Sequence, residues 1–324
     1  MFRRRFLLFS CALAVSGASA VQAQSDFPNR SIRMVVGFPP GGISDVLARA
    51  IASEAGAVLG QSIVVENRPG AGTTIASDNV ARAAPDGYTL LFQDVTTHAI
   101  NASLYKKLPY DTEKDFTPVA LVSSSPLMLV VNADSPVRTL AELIERAKAK
   151  PDLYSYGSSG NGTIIHLASE MMNRAAGVKA VHIPYKGSAA LVQAVMSGEI
   201  EYAFSSMPPA VSQVSSGRLR ALAVSTPERV PVLPEVPTIA QAGVPAAEVV
   251  LYNGVMGPAG MPEDVVQKLN QAFAKAVNSD KLKQTYQSLG ASTLAVTPQA
   301  FGEQLRQDIG RYAKVVGEVG AQVD

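Results

Sequence analysis

The 324-residue chain is 47% hydrophobic and 17% charged, which excludes disordered, collagen-like and coiled-coil architectures. Its length accommodates two domains of the common size of roughly 100 to 200 residues. A formal net charge of +1 leaves no surplus of Lys and Arg to neutralise a row of phosphates, so the composition argues against nucleic-acid binding.

Arg3, Arg4 and Arg5 precede an apolar run from Phe6 to Val15, and small residues follow with cleavage options after Ala20 and Ala23. This is the order of an export signal over residues 1–23. Its removal takes three Arg and no acid, from 28 basic residues to 25 against 27 acidic ones, or about −2. The single cysteine, Cys11, leaves with it; it lies too early in the apolar run to accept a lipid. Arg4-Arg5-Phe6-Leu7 loosely resembles a twin-arginine signal, so two export routes are open. No later apolar run reaches the ~18 residues that cross a bilayer. The expected product is exported, soluble and cysteine-free, stabilised by packing.

From Ser31 onward, short apolar and often β-branched runs at 32–38, 63–66, 88–92, 127–132, 181–184, 201–205, 219–225 and 249–255 predict strands. Helical patterns fall between them at 45–59, 74–84, 140–150, 163–176 and 189–197. Thr139 with Glu142 forms a capping box, and Pro262 sits at an N1-like position before Val265, Val266, Leu269, Phe273 and Val277. A last helix over 298–319 carries Phe301, Leu305, Ile309, Tyr312, Val316 and Val319 on one stripe, which predicts packing on a sheet. The alternation predicts an α/β protein with mostly parallel sheets. No repeat or low-complexity tract marks a boundary, and Pro231, Pro234 and Pro237 alternate with apolar residues as in an ordered surface connection. A chain of this pattern can cross between two lobes twice, near 127–132 and 219–225.

Three loops rich in glycine or small residues follow strands and open helices. The first is Phe38-Pro39-Pro40-Gly41-Gly42-Ile43-Ser44-Asp45. Glycine lets the main chain approach a ligand closely, and the free N–H groups of the following helix attract an anion. Alone, this loop reads equally well as a plain turn. Asp45 caps the first turn, braces the loop, or accepts from a ligand amine or hydroxyl. The second loop, Asn67-Arg68-Pro69-Gly70-Ala71-Gly72-Thr73-Thr74, has G-x-G but Ile75 in place of the third glycine of a dinucleotide fingerprint. Arg68 is either a two-pronged carboxylate clamp or, the commoner fate beside a Pro-Gly turn, solvated or paired with an acid. The third loop, Tyr156-Gly157-Ser158-Ser159-Gly160-Asn161-Gly162-Thr163, is the best anion cradle of the three, and it lacks the Lys of a Walker loop. The turn Tyr185-Lys186-Gly187-Ser188 carries a weaker signal of the same kind.

Catalytic sets are sparse. His98, His166 and His182 are the three histidines. His166 and Glu170, four apart on a helix, are a surface pair more often than two metal ligands. No G-x-S-x-G elbow occurs, no Ser, His and acid set is indicated, and the absence of Trp disfavours a sugar platform. Catalysis is the minority reading; neither cofactor nor metal is expected.

Taken together, Phe38-Pro39-Pro40-Gly41-Gly42 with Asp45, Glu66-Asn67-Arg68-Pro69-Gly70-Ala71-Gly72, Ala84-Pro85-Asp86-Gly87-Tyr88-Thr89-Leu90 and Asp115-Phe116-Thr117-Pro118-Val119 form an ordered series. It continues through Gly160-Asn161-Gly162-Thr163 with His166-Leu167-Ala168, His182-Ile183-Pro184-Tyr185-Lys186-Gly187-Ser188 and Leu219-Arg220-Ala221-Leu222-Ala223-Val224. Each stretch alone is weak, and the seven in order are specific. They resemble the tripartite tricarboxylate transporter substrate-binding proteins, or Bug receptors, of bacterial periplasms, over nearly the whole chain after the export signal.

The resemblance implies a type II periplasmic-binding-protein fold, two α/β lobes joined by two crossing strands. It places 24–128 and 222–324 in one lobe and 129–221 in the other. A small carboxylate is expected in the cleft, held by main-chain N–H groups and water. By resemblance the first-lobe contacts are Pro39, Gly41, Gly42, Asp45, Gly72, Thr73, Thr74, Thr96 and Thr97, and the second-lobe contacts are Ser158, Asn161, Gly162, Thr163 and Ser205. The implied partners are that ligand and the membrane permease subunits of a tripartite tricarboxylate transporter, with a periplasmic monomer closing on its ligand. A membrane sensor kinase is the alternative recipient, and an enzyme on the same fold, such as a dehydratase, is a further one. Many relatives read Gly-Ala-Gly-Gly-Asn where this chain has Gly70-Ala71-Gly72-Thr73-Thr74, and Phe-Asp-Asn where it has Phe204-Ser205-Ser206. The lost cleft acid removes a partner for an ammonium group. The expected ligand is therefore a dicarboxylate or an acid with a neutral side chain, and not an amino acid.

Overall fold

A computed structural model describes residues 27–151 and 153–323, so the export signal expected over 1–23 lies outside the described residues. The first half of the first lobe runs β1 (Ile32–Val36), α1 (Ile43–Leu59), β2 (Ile63–Asn67), α2 (Thr74–Ala81), β3 (Thr89–Asp94), α3 (Val95–Leu104) and β4 (Phe116–Ser125). The second lobe holds β5 (Leu127–Asn132), α4 (Leu140–Ala149), β6 (Ser155–Ser158), α5 (Ile164–Ala176), β7 (Val181–Pro184), α6 (Ser188–Ser197), β8 (Tyr202–Ser206), α7 (Met207–Ser215) and β9 (Leu219–Val224). The chain then returns through β10 (Leu251–Pro258), α8 (Glu263–Val277), α9 (Asp280–Ser288), β11 (Ser292–Val296) and α10 (Pro298–Val319).

Two sheets result, with strand orders β11-β4-β10-β3-β1-β2 and β7-β6-β8-β5-β9. The expectation of mostly parallel sheets is corrected: four of the nine strand pairings are parallel and five antiparallel. The β-α-β units β1-β2-β3 and β6-β7-β8 are parallel, as crossover helices demand. The strands next to the crossings run the other way. Each sheet thus has the same core, a parallel trio beside an antiparallel strand, which is the type II binding-protein arrangement.

The chain changes sheet at Pro126 and again between β9 and β10. The expected boundaries at 128/129 and 221/222 therefore cut through β5 and β9, which pair along their length within the second sheet. Ser225 ties the two crossings together: its Oγ accepts from Leu127 N at 2.9 Å and donates to the Val249 carbonyl at 2.7 Å. In α10, Phe301, Leu305, Tyr312 and Val316 are buried, and the helix packs on α3 as well as on β4. Gly254 on β10 makes this approach possible, since a Cβ there would lie 2.6 Å from Phe301 Cζ.

Candidate functional site

In each lobe the connections leaving two adjacent parallel strands, β1 and β3 or β6 and β8, run in opposite directions, and the crevice between their carboxyl ends is where α/β sheets bind ligands. Six strand-to-helix junctions reach the cleft, three from each lobe: those opening α1, α2 and α3, and those opening α5, α6 and α7. A helix start leaves its first N–H groups without intrahelical partners. Thr163 caps α5 and Asp94 caps α3 with side-chain oxygens, whereas Gly42, Thr73, Gly187 and Ser206 give α1, α2, α6 and α7 no side-chain cap. The starts of α1 and α6, one from each lobe, keep first-turn N–H groups that attract an anion, whereas Pro208 and Pro209 in the first turn of α7 have none and the Thr73 and Thr74 amides of α2 donate within their own turn.

The first junction is braced from behind. Asp45 Oδ2 accepts from Gly41 N at 3.0 Å, and its Oδ1 accepts from Asn67 Nδ2 at 2.9 Å and pairs with Arg49 at 2.9 Å. Burial alone would raise the Asp45 carboxyl, but the bonds from Arg49, Gly41 and Asn67 hold it below the usual carboxylate range. Asn67 also donates to the Phe38 carbonyl at 3.0 Å, which locks the second junction to the first. Arg68 does not enter the cleft: its Nε donates to Glu66 at 2.6 Å, the acid-paired alternative.

The second junction is strained. Gly70, Ala71, Gly72 and Thr73 all have positive φ, and Thr73 sits at φ 75 although it is β-branched. Its hydroxyl accepts from Gln93 Nε2 at 2.5 Å, and its N–H donates to the Gly70 carbonyl at 3.0 Å. The turn thereby brings Gly72 against the second lobe, where a Cβ would lie 3.2 Å from the Asn161 carbonyl.

The third junction carries Asp94, which the sequence reading did not single out. Asp94 is 2% exposed and accepts from Thr97 N at 3.1 Å and from Thr97 Oγ1 at 2.6 Å. Burial pushes its carboxyl up to about 6, against the opposing bonds from Thr97 and the Thr96 amide. The signal available was an N-cap acid directly after a strand, followed by two threonines.

In the second lobe, the loop before α5 folds over its own hydroxyls. Ser158 Oγ donates to the Gly160 carbonyl at 3.0 Å and lies 2.7 Å from His182 Nε2, while Gly162 N donates to His166 Nδ1 at 3.3 Å. The His166 and His182 rings stack with centroids 3.9 Å apart, and Tyr156 hydrogen-bonds Glu170 beneath them. His166 and Glu170 are therefore members of a half-buried network linked through Tyr156 and not an exposed surface pair. Among the described residues no group of three or more His, Cys, Asp or Glu could hold a metal.

Two adjoining cavities share Phe38, Pro39, Ser159, Thr163, Lys186 and Gly187. The outer one, about 670 Å³, is lined by Gly72, Thr73, Tyr105 and Asn161 among others. The inner one, about 30 Å³, is lined by Gly42, Ser44, Asp94, Ile164, Ser188 and Ser206 among others. Of the expected contacts, Pro39, Gly42, Gly72, Thr73, Asn161 and Thr163 line these cavities. Gly41 and Asp45 form the brace described above. Thr74 opens α2, and Thr96 bonds the Val250 carbonyl and Tyr252 N on the return to β10. Thr97 receives Ile164 N, and Gly162 packs on Leu104 of α3. Ser158 and Ser205 are fully buried beneath the surface, and it is the neighbouring Ser206 that lines the inner cavity. The turn around Lys186 and Gly187 lines both spaces, so the weakest of the loop signals marks a wall of the cleft.

Residues 47–321 match the model of the tripartite tricarboxylate transporter family receptor. A UPF0065 protein from the tcbD-tcbE intergenic region of Pseudomonas sp. (strain P51) is 38% identical over 97% of this chain and 94% of its own length. Two solved structures from Rhodopseudomonas palustris superpose closely. The adipate-bound one has TM-score 0.88 and 35% identity, covering 92% of this chain and 100% of the other. MatC with bound malate has TM-score 0.85 and 34% identity, covering 90% and 100%. Motifs, paired lobes and these likenesses agree, and the chain belongs to the tripartite tricarboxylate transporter receptor family.

Proposed function

We propose that this chain is a periplasmic solute-binding receptor that captures a small carboxylate between its lobes and delivers it to a membrane permease of the tripartite type. One observation carries the reading: the starts of α1 and α6, one from each lobe and both without side-chain caps, face the same cleft. A carboxylate placed there receives main-chain N–H groups from both lobes, so binding favours the closed form over the open one. The lobes divide at Pro126 and in the return between β9 and β10, which act as the hinge. Pro39, Gly42, Gly72, Thr73, Asn161 and Thr163 touch the ligand, with Gly41, Asp45, Thr74, Thr96, Thr97, Ser158, Gly162 and Ser205 shaping the loops that do. The adipate and malate held by the two related structures support a carboxylate as the ligand class. The receptor works as a monomer by binding and release, with no covalent step.

A thermal-shift screen of mono-, di- and tricarboxylates tests this. A ligand at one hundred times its dissociation constant adds about 2.7 kcal/mol and raises the midpoint by several degrees. A midpoint unmoved by every acid in the screen would overturn the proposal.

A further inference from the structure

The inner cavity differs in character from the helix starts around it. Asp94 reaches it from the first lobe at 2% exposure, bonded only to α3 groups; Lys186 lines the same cavity from the second lobe, but among the described residues no ion pair joins a cation to Asp94. Ser206 reaches it from the second lobe at 1% exposure, and its Oγ has no hydrogen-bond partner. Ser44 completes the polar wall, its Oγ donating to Asn253 Oδ1 at 3.0 Å and so keeping its lone pairs for another donor. A buried carboxylate outside any ion pair and a buried hydroxyl without a partner are both costly unless something fills the space between them.

Size and charge decide what fits. A volume of about 30 Å³ is roughly twice the ~10–15 Å³ that one water needs. A second ligand carboxylate there would face Asp94 among buried groups, where like charges repel more strongly than in open water. A protonated amine is small, carries the opposite charge and brings three N–H donors, matching the acceptors on Asp94, Ser206 and Ser44. The outer cavity of about 670 Å³ holds the rest of such a molecule against Thr73, Asn161 and Lys186.

We propose that the inner cavity is an ammonium subsite with Asp94 as its specificity-determining residue, so that the ligand is an amino-carboxylate. This rests on the receptor reading above and names its ligand class. It reverses the expectation of a ligand without an amine. That expectation followed from the missing acid after Phe204, whereas the structure supplies an acid from the opposite lobe, at the end of β3.

The test is calorimetric titration of the full exported chain with matched series: succinate, malate and aspartate, then glutarate, 2-hydroxyglutarate and glutamate. The amino acid should bind at least tenfold more tightly than the unsubstituted acid, with the hydroxy acid between them. Asp94→Asn keeps an acceptor for the α3 cap; it should erase that preference and tighten the unsubstituted acid. Ser206→Ala leaves α3 untouched and decides the matter if Asp94→Asn fails to fold, by weakening the amino acid several-fold more than the unsubstituted one. Unsubstituted acids binding as tightly as their amino counterparts, or a ratio unmoved by both variants, would overturn the subsite while leaving a carboxylate receptor standing. Binding of none of the six, nor of any acid in the wider screen, would overturn both.

Discussion

The amide of Ile164, at the start of α5 in the second lobe, donates 3.2 Å across the cleft to the hydroxyl of Thr97 in the first lobe. The same hydroxyl donates 2.6 Å to Asp94, so the cross-lobe bond is oriented by a buried carboxylate. This couples closure to the α3 cap. Thr97→Val keeps the shape and removes both bonds, leaving the Ile164 N–H without its acceptor in the closed form. A lost hydrogen bond to a buried donor costs ~1–3 kcal/mol, so affinity should fall about tenfold or more. Thr97→Ser should restore it. Calorimetry on the two variants checks this, and equal affinity for Thr97→Val and the parent would show that the bond plays no part in closure.

Gly162 sits at a close approach of the closed lobes. Its φ is +77, and a Cβ would lie 1.9 Å from Leu104 Cδ2 on α3 of the other lobe. Gly162→Ala therefore opposes closure itself. Within its own lobe the cost is the left-handed backbone, ~1–2 kcal/mol. The expected result is a folded protein with affinity reduced more than tenfold and little ligand-induced compaction by small-angle scattering. Normal compaction in the variant would mean that the lobes close along another path.

Much of this cleft was legible because glycine and small polar residues mark strand-to-helix turns whatever surrounds them. The helices 45–59 and 163–176 and the strands around them were readable from period alone, since each buries one continuous apolar face. What was missed shares a different cause. α3 begins Val-Thr-Thr-His and buries its polar residues too, so no amphipathic stripe announces it. β4 contains Pro118 and ends in three serines; the proline is tolerated where the pairing with β10 shifts register between Val255 and Met256. Asp94 escaped notice because an acid after a strand is an ordinary cap, and only the tertiary structure reveals that a cavity lies on its other side.

The turn at Thr73 offers a coupled test. Gly37 lies beneath it, and a Cβ at Gly37 would sit 2.6 Å from Thr73 Cβ. Gly37→Ala overpacks this contact and should cost ~1–3 kcal/mol. Thr73→Gly relieves left-handed strain of ~1–2 kcal/mol. It also loses the Gln93 bond, worth ~1 kcal/mol, and gains chain entropy in the unfolded state, ~0.5–1 kcal/mol. Alone it should therefore change stability by less than about 1 kcal/mol. The double variant should recover most of the loss caused by Gly37→Ala, a non-additivity that urea unfolding of the four proteins would reveal. Simple addition of the two effects would place the strain elsewhere.

Stability should fall as the solution is acidified below pH 6.5, for reasons set by three histidines. His98 is fully buried, stacked on Tyr110, edge-on to Phe116, with Nε2 3.0 Å from the Thr112 carbonyl. Burial pulls its pKa down to about 4, and the Thr112 bond only partly opposes this. Burial also pulls His166 down to about 4. His182 falls to about 4 through burial and the neighbouring His166, with Glu170 opposing. The unfolded chain protonates histidine near pH 6.5, so it binds more protons than the folded chain between about 6.5 and 4. The stability these rings contribute is complete above pH 6.5 and drains away through that window, by about 1.4 kcal/mol per pH unit for each unmatched proton. Asp94 works in the opposite sense. Burial lifts its folded pKa to about 6, above the ordinary carboxylate value, so acidification through that interval favours the folded form. Three groups outweigh one, and urea midpoints of the ligand-free protein should drop from pH 7 to pH 5. Replacing His98 by Gln should flatten part of that slope while lowering stability at pH 7, and a midpoint constant across the window would contradict the neutral burial of these rings.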